Sequence, residues 1–320
     1  MIIFVYAVLV FLVLRFSVTL FNFLSNPKLG YYGKHFTDKV SIIISLSDAN
    51  DDPSALVTSI EGQDYSNVEI IIKKYTETSR KAVSEATGSY ILFLDGNTTV
   101  SKGLINNLIY RVKVFDLDLL SLIPNRELNG LLSRLVYPLG DFVLLNLLPL
   151  RLVRLSNQQI FAATNTACMF FKTNSYKKNN WYEQVDEKDS DGIGITRLMK
   201  QMKFKTEILL GNKFVYFNER MNLNKVSSQL LFAFGSNILA VLIYLLLVIG
   251  GPVVVLLNFE PVFLVLPVGL IFLSRIMISF LTAQNPFVNV LLHPIQMVML
   301  LVLLLKGLWI KVLTPGKHKL

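Results

Sequence analysis

Residues 88–100 read GSYILFLDGNTTV, a run of apolar strand formers that ends in Asp95-Gly96-Asn97. A carboxylate and a carboxamide two residues apart put oxygen donors at the tip of a buried strand, where an open α/β sheet binds its ligands. Asp, Gly and Asn also favour turns, so Asp95 reads equally as a turn or cap residue. Other chemistries find less support. Cys168 is the sole cysteine, which excludes an internal disulfide and any cysteine-based zinc site. In TACMFF it reads as a buried apolar residue. Three widely spaced histidines argue against a His-rich metal centre.

The elements that must position this tip alternate in type. VSIIISL (40–46), VEIII (68–72), YILFLD (90–95) and DLLSLIP (118–124) are strand-like runs. DPSALVTSIEGQ (52–63) has helical spacing, with Asp52 as N-cap and Pro53 at the first helical position. SRKAVSEAT (79–87) reads as a helix closed by Gly88, and KGLINNLIYRV (102–112) as another helix. Strands alternating with helices imply βαβ units and a mostly parallel sheet covered on both faces. A short strand within 166–172, a helix from about Asp191 to Lys203, and the strands KTEILL and KFVYF follow.

Around this segment the chain is strongly apolar. Of its 320 residues 52% are hydrophobic and 17% charged, which requires a polar domain and membrane segments in one chain. Four stretches reach the roughly 20 residues that cross a bilayer: 2–24, and about 229–257, 260–283 and 286–312. Gly250-Gly251-Pro252 and Pro294 interrupt two of them. The first stretch lacks a basic n-region and a small-residue cleavage site, so it reads as a retained anchor. Arg15 within it reads as snorkelling to the headgroups, with a lipid phosphate or a neighbouring helix as the sharper alternative. The stretch 130–155, broken by Pro138, Gly140, Asp141 and Pro149, reads as an interfacial amphipathic segment with Arg134, Arg151 and Arg154 at the headgroups, with a fifth membrane segment as the alternative.

Lys28, Lys34 and Lys39 place the middle segment in the cytoplasm by the positive-inside rule. The basic tail TPGKHKL gives the opposite answer if all four stretches cross. The formal charge of +9 suits a domain lying against anionic lipid. The lysines are scattered rather than gathered on a face with stacking aromatics, so no nucleic-acid partner is expected. The expected organisation is an anchor over 1–27, a cytoplasmic domain over 28–228, and membrane helices with a basic tail over 229–320.

A membrane anchor, then VSIIIS, then SIEGQDYSNVEIII, then ATGSYILFLDGN resembles glycosyltransferase family 2. The likeness is to membrane-bound members of the ceramide-glucosyltransferase and carotenoid type. Further on, SDGIGITRLMKQMKFKTEILLG (190–211) is similar to the family's acidic-residue helix, and ERMN with Lys225 to the stretch before its membrane helices. The resemblance covers nearly the whole chain in order. It implies a GT-A-like, Rossmann-type, mostly parallel α/β sheet flanked by one N-terminal and about three C-terminal transmembrane helices.

It also implies a reaction: transfer of a sugar from UDP or another nucleotide to a lipid hydroxyl. A Mg²⁺ or Mn²⁺ ion would neutralise the leaving diphosphate, and hard cations take oxygen ligands. Asp95 matches the first Asp of the family's Asp-x-Asp motif and Asn97 stands at the second. The family's base, an Asp heading a later helix, falls on Asp191, with Ser190 replacing its usual Glu neighbour. Asp186, Glu187 and Asp189 are nearby substitutes. The donor positions fall on Asp48 after the first strand and on Lys74 and Tyr75 after the second, where the family carries acidic residues. The Gln-x-x-Arg-Trp motif of processive members is absent, which points to a non-processive enzyme.

Each assignment has a plainer counterpart. Asp191 can cap its own helix while acting as a base. Lys73 and Lys74 read as solvated strand-end residues before diphosphate ligands, and Trp181 as a packing residue as readily as a sugar platform. The alternative function is an inactive glycosyltransferase-like subunit with a membrane-protein partner. A transporter would want paired repeats and ionisable groups in its spans, where Arg275 and His293 are the candidates beyond Arg15.

Overall fold

The computed structural model describes residues 2–49, 51–182, 184, 192–218 and 221–313. The chain opens with α1 (Ile2–Ser25), β1 (Val40–Ser45), α2 (Ser54–Glu61), β2 (Val68–Lys73), α3 (Ser79–Glu85) and β3 (Tyr90–Asp95). Next come β4 (Thr98–Val100), α4 (Leu104–Phe115), β5 (Leu119–Ile123), β6 (Asn125–Arg126), α5 (Leu131–Leu147) and α6 (Leu150–Leu155). They are followed by β7 (Cys168–Lys172), α7 (Thr173–Asn179), α8 (Ile193–Gln201), β8 (Thr206–Leu210) and β9 (Val215–Phe217). The last elements are α9 (Leu223–Phe232), α10 (Ile238–Leu245), α11 (Gly251–Asn258), α12 (Pro261–Leu281), α13 (Pro286–Leu291) and α14 (His293–Leu313). They form two units. A helical unit comprises Met1–Asn26, Leu128–Pro149 and Arg220–Leu320, and an α/β unit comprises Pro27–Glu127 and Leu150–Glu219.

The α/β unit is built on a six-stranded sheet in the order β2-β1-β3-β7-β5-β8. All neighbours are parallel except β7, which runs antiparallel between β3 and β5. The long β-branched runs explain the central strands, because β1 and β3 are buried on both faces. One face is filled by Ile42, Ile44, Leu92 and the apolar stripe of α4. The other is filled by Ile43, Ile91, Phe93, Phe171 and Trp181 with Ile195 and Met199 of α8. Trp181 is fully buried with its ring edge-on to Phe204, which settles it as a packing residue. A small second sheet, β4-β9-β6, stands beside the first.

Several local features depart from the sequence expectations. The first α/β helix begins at Ser54, and Asp52 accepts from the Ser54 N–H at 3.0 Å one residue ahead of the cap position. The helix over 79–87 ends at Glu85, so Gly88 does not close it. A Cβ at Gly88 would lie 2.7 Å from both Lys39 O and Ser41 N, so only glycine fits against β1 there. The same corner holds Glu69, which takes Ser41 Oγ at 2.5 Å, the Thr87 N–H at 2.6 Å and Lys39 Nζ at 2.7 Å. Burial pushes the Glu69 carboxyl up, but these hydrogen bonds outweigh it and hold it down to about 2. A carboxyl lowered from 4.5 stabilises the fold above that value and loses its contribution as pH falls toward about 2. Urea midpoints are therefore expected to fall over this window in the wild type and to flatten in Glu69→Gln.

The largest correction concerns 130–155. It is not one interfacial stretch: α5 belongs to the helical unit and α6 to the α/β unit. Arg151 and Arg154 do not lie free for headgroups either. They converge with Arg111 on the buried carboxylate of Glu207, at 3.3, 3.0 and 2.6 Å.

Among the described residues of the helical unit, four helices are long and apolar enough to cross a membrane: Ile2–Ser25, Ile238–Asn258, Pro261–Leu281 and His293–Val312. The second span starts later than 229, because residues 223–232 form the separate helix α9. Gly250-Gly251-Pro252 does not break that span. A π-helical turn at Leu246–Gly250 joins α10 to α11, and Pro252 follows directly on it in the first turn of α11. The stretch from 286 is divided at Leu292, which leaves α13 too short to cross. Arg15 does not snorkel. It is 8% exposed, with its guanidinium over the rings of Phe11, Phe142 and Tyr244 at 5.7, 5.1 and 5.8 Å.

Candidate active site

Three parallel strands end in one register row. Ser45 of β1 pairs with Lys73 of β2 on one side and with Asp95 of β3 on the other. The Asp95-Gly96-Asn97 turn is fixed from several directions. Asp95 N–H donates to Ala167 O at 3.1 Å, and Gly96 N–H to Ser45 O at 2.9 Å. A Cβ on Gly96 would come within 2.9 Å of Leu46 Cδ2, so a side chain there would press on the end of β1. Asp95 Oδ1 accepts the Asn97 N–H at 2.9 Å, an Asx turn of the kind these residues favour. Beyond the turn, β4 pairs antiparallel with β9, and Asn218 N–H donates to Asn97 O at 2.8 Å. The small sheet thus props the turn from outside.

A residue that the sequence reading passed over completes this edge. Asp51, half-buried in the loop after β1, accepts Asn97 Nδ2 at 3.4 Å with one carboxylate oxygen. Its other oxygen accepts the backbone N–H groups of Ser47 and Asp48 at 2.6 and 2.9 Å. Asp51 therefore ties the β1 loop to the β3 turn. Its signal lies in the acidic run before Pro53, which reads as a helix start and hides the longer-range bond.

Asp48 is exposed in the same loop, with its N–H committed to Asp51. Lys74 and Tyr75 are exposed at the end of β2, where the Lys74 N–H donates to Glu77 at 3.2 Å. Lys73 is partly covered; burial pushes its ammonium below the usual lysine value, and Glu77 opposes the shift. The strand row thus brings Asp48, Asp95, Asn97 and the Lys73–Tyr75 segment to one edge of the sheet. Asp191, with Asp186, Glu187 and Asp189, lies outside the described residues.

The helix that follows Asp191 is well anchored. Gly192 has φ +82°, and a Cβ there would meet Thr164 Cγ2 at 2.6 Å and Thr166 Cγ2 at 2.9 Å. Glycine is thus required twice over, by conformation and by space. Thr166 precedes Ala167, whose carbonyl holds the Asp95 N–H, so the start of α8 and the tip of β3 share the 164–167 segment. Near its far end α8 is tied down by Lys200, whose Nζ donates to the carbonyls of Val153 and Ser156. Burial brings the Lys200 ammonium down to about 8.

Asp95 and Asp51 offer carboxylates and Asn97 an amide oxygen, all hard donors of the type Mg²⁺ and Mn²⁺ prefer. Among the described residues no three His, Cys, Asp or Glu side chains are grouped to hold a metal ion.

No protein-family model matches the chain, and no curated protein does. Among solved structures it is similar to the mannosyltransferase PcManGT from Pyrobaculum calidifontis in complex with GDP-Man and Mn²⁺. The two are 11% identical with a TM-score of 0.55, over 96% of this chain and 99% of that one. The fold is GT-A-like. A looser match is to S. aureus TarS 1–349 in complex with UDP-GlcNAc, 11% identical with a TM-score of 0.38, over 84% and 88% of the two chains. In the GT-A-like sheet of this chain, the row Lys73, Ser45, Asp95 is the edge at which a ligand of an open α/β fold would sit.

Proposed function

We propose that this chain is a membrane-anchored, non-processive glycosyltransferase that moves a sugar from a nucleotide-sugar to a lipid hydroxyl with inversion. The observation that carries the reading is the Asp95-Gly96-Asn97 turn, braced by Asp51 and Ser45 at the carboxyl edge of a GT-A-like sheet. The sugar-nucleotide and Mn²⁺ in the Pyrobaculum mannosyltransferase are consistent with that chemistry. In this reading the α/β unit faces the cytoplasm, on the side marked by Lys28, Lys34 and Lys39.

Asp95 and Asn97, with Asp51 behind them, would hold a Mg²⁺ or Mn²⁺ ion. When bound, the ion supplies positive charge against the leaving diphosphate. Asp48, Lys74 and Tyr75 border the donor, where Lys74 adds charge for the diphosphate and the exposed Tyr75 ring offers a face to the base or ribose. Asp191 accepts the proton of the acceptor hydroxyl as the bond to the sugar forms.

A second reading, an inactive glycosyltransferase-like subunit, is favoured by one feature. Lys73, Lys74 and Tyr75 stand where the resembled family carries acids. Titrating Mn²⁺ with UDP- and GDP-sugars into the purified full chain separates the two. Metal-dependent donor binding is expected, and Asn97→Asp should tighten it about tenfold by placing a second formal charge near the ion. Donor binding that ignores the metal would remove the site. No binding of any donor would favour the inactive subunit.

A further inference from the structure

The helical unit encloses a cavity of about 470 Å³ lined by residues from α1, α5, α12, the π-helical turn, α11 and α14. Its walls are mostly apolar, with Arg15, Asn146, Ser274 and His293 among the polar exceptions. Asn146 and Ser274 have their hydrogen bonds within the helices: Asn146 Nδ2 donates to Phe142 O at 2.6 Å and Oδ1 accepts from Thr19 at 3.1 Å, while Ser274 Oγ donates to Leu270 O at 2.8 Å. Arg15 and His293 are different. Each is 8% exposed, and Arg15 Nε and His293 Nδ1 are buried with no hydrogen-bond partner among the described residues.

The charge around them is unbalanced. Arg15 and Arg275 stack on Phe142, with guanidinium carbons 5.1 and 5.0 Å from the ring centre, and His293 packs against the same ring at 5.7 Å. The carboxylates among the described residues of this unit are Asp141 and Glu260. Glu260 is exposed at the start of α12, and Asp141 accepts from Gln284 at 2.8 Å. No carboxylate pairs with Arg15 among the described residues. A guanidinium buried in an apolar setting without an anion is costly, and ionisable groups inside membrane helices ordinarily mark a site.

We propose that this cavity binds a lipid with a phosphate headgroup, the phosphate resting against Arg15 and His293 and the hydrocarbon along the apolar wall. The volume and the apolar lining with a few polar anchors are those of a ligand site. The lining residues Val253, Leu256 and Val298 are 50%, 52% and 61% exposed on helices long and apolar enough to cross a membrane, so in a bilayer this side of the cavity would face lipid. A free phosphate would leave the apolar wall empty, and a neutral lipid would leave Arg15 uncompensated. The site lies within the helical unit, and its occupancy does not require the sugar-transfer reading.

The test is native mass spectrometry of the full chain released from detergent, with no sugar donor present. Dioleoyl phosphatidate, dioleoylglycerol and inorganic phosphate are offered separately. Phosphatidate is expected to be retained and the other two lost. Arg15→Gln should weaken retention about tenfold or more, the scale of a charged hydrogen bond, and Arg15→Lys should restore part of it. Leu256→Trp, at the exposed mouth, blocks the entrance while leaving Arg15 in place and carries the test if Arg15→Gln fails to fold. Retention of dioleoylglycerol equal to phosphatidate, retention of phosphate alone, or phosphatidate retention unchanged in both Arg15→Gln and Leu256→Trp overturns the proposal.

Discussion

Asp191→Asn is expected to lower sugar transfer by at least about a hundredfold while leaving donor binding in place. Loss of a general base costs about 10²–10⁴ in rate. Asparagine keeps the shape and the capping capacity of aspartate but cannot take the acceptor's proton. The prediction belongs to the proposed function, since Asp191 itself is not among the described residues. Its motivation is the anchoring of the next residue: Gly192 is wedged against Thr164 and Thr166, one residue from the carbonyl that holds Asp95. A radiolabelled-sugar assay with host membrane lipids compares the two proteins. Full transfer by Asp191→Asn would take the base role away from this residue. Silence of the wild type with every common nucleotide-sugar would favour the inactive-subunit reading.

Glu207→Ala is expected to destabilise the α/β unit by about 3–5 kcal/mol, the cost of breaking a buried pair from one side. Glu207 is 1% exposed and accepts from Arg111 through two nitrogens at 2.7 and 2.6 Å, with Arg154 and Arg151 adding bonds at 3.0 and 3.3 Å. Its removal takes the shared carboxylate from three guanidiniums, two of which, Arg111 and Arg154, lie over the Phe115 ring at 3.9 and 4.0 Å. Chemical denaturation in detergent measures the loss. Glu77→Ala, which breaks a pair with the exposed Lys81, is the control and should leave stability nearly unchanged. A Glu207 effect no larger than that control would show the cluster to be ornamental to stability.

The parts of the fold legible in the sequence are those governed by local pattern. The runs VSIIIS and YILFLD carry their own signature as doubly buried strands, VEIIIK reads as a strand although it lies half-exposed at the end of the sheet, and apolar length alone marks the spans. What escaped the sequence depends on distant partners. Nothing in CMFFK tells that β7 runs antiparallel between two parallel neighbours. Arg151 and Arg154 look like headgroup ligands until β8 brings a carboxylate from more than fifty positions away. At the site, the tip of β3 was legible because strand and turn signals abut. The bond from Asp51 to Asn97 crosses between two loops, and loop geometry has no periodicity to read.

The division of the chain has a consequence for anyone who would make the α/β unit alone. Strands β5 and β8 are hydrogen-bonded neighbours, yet the whole of α5 lies between them in sequence and belongs to the other unit. A fragment trimmed to Pro27–Glu219 therefore retains a 17-residue apolar helix stripped of α1, α9, α12 and α14, its packing partners. The same bind exists at the ribosome. When α5 emerges, α1 is the one of these packing partners already made, and α9, α12 and α14 follow more than seventy residues later. Deleting both ends does not yield a water-soluble piece of this protein; the excision has to be made in the middle, at 128–149.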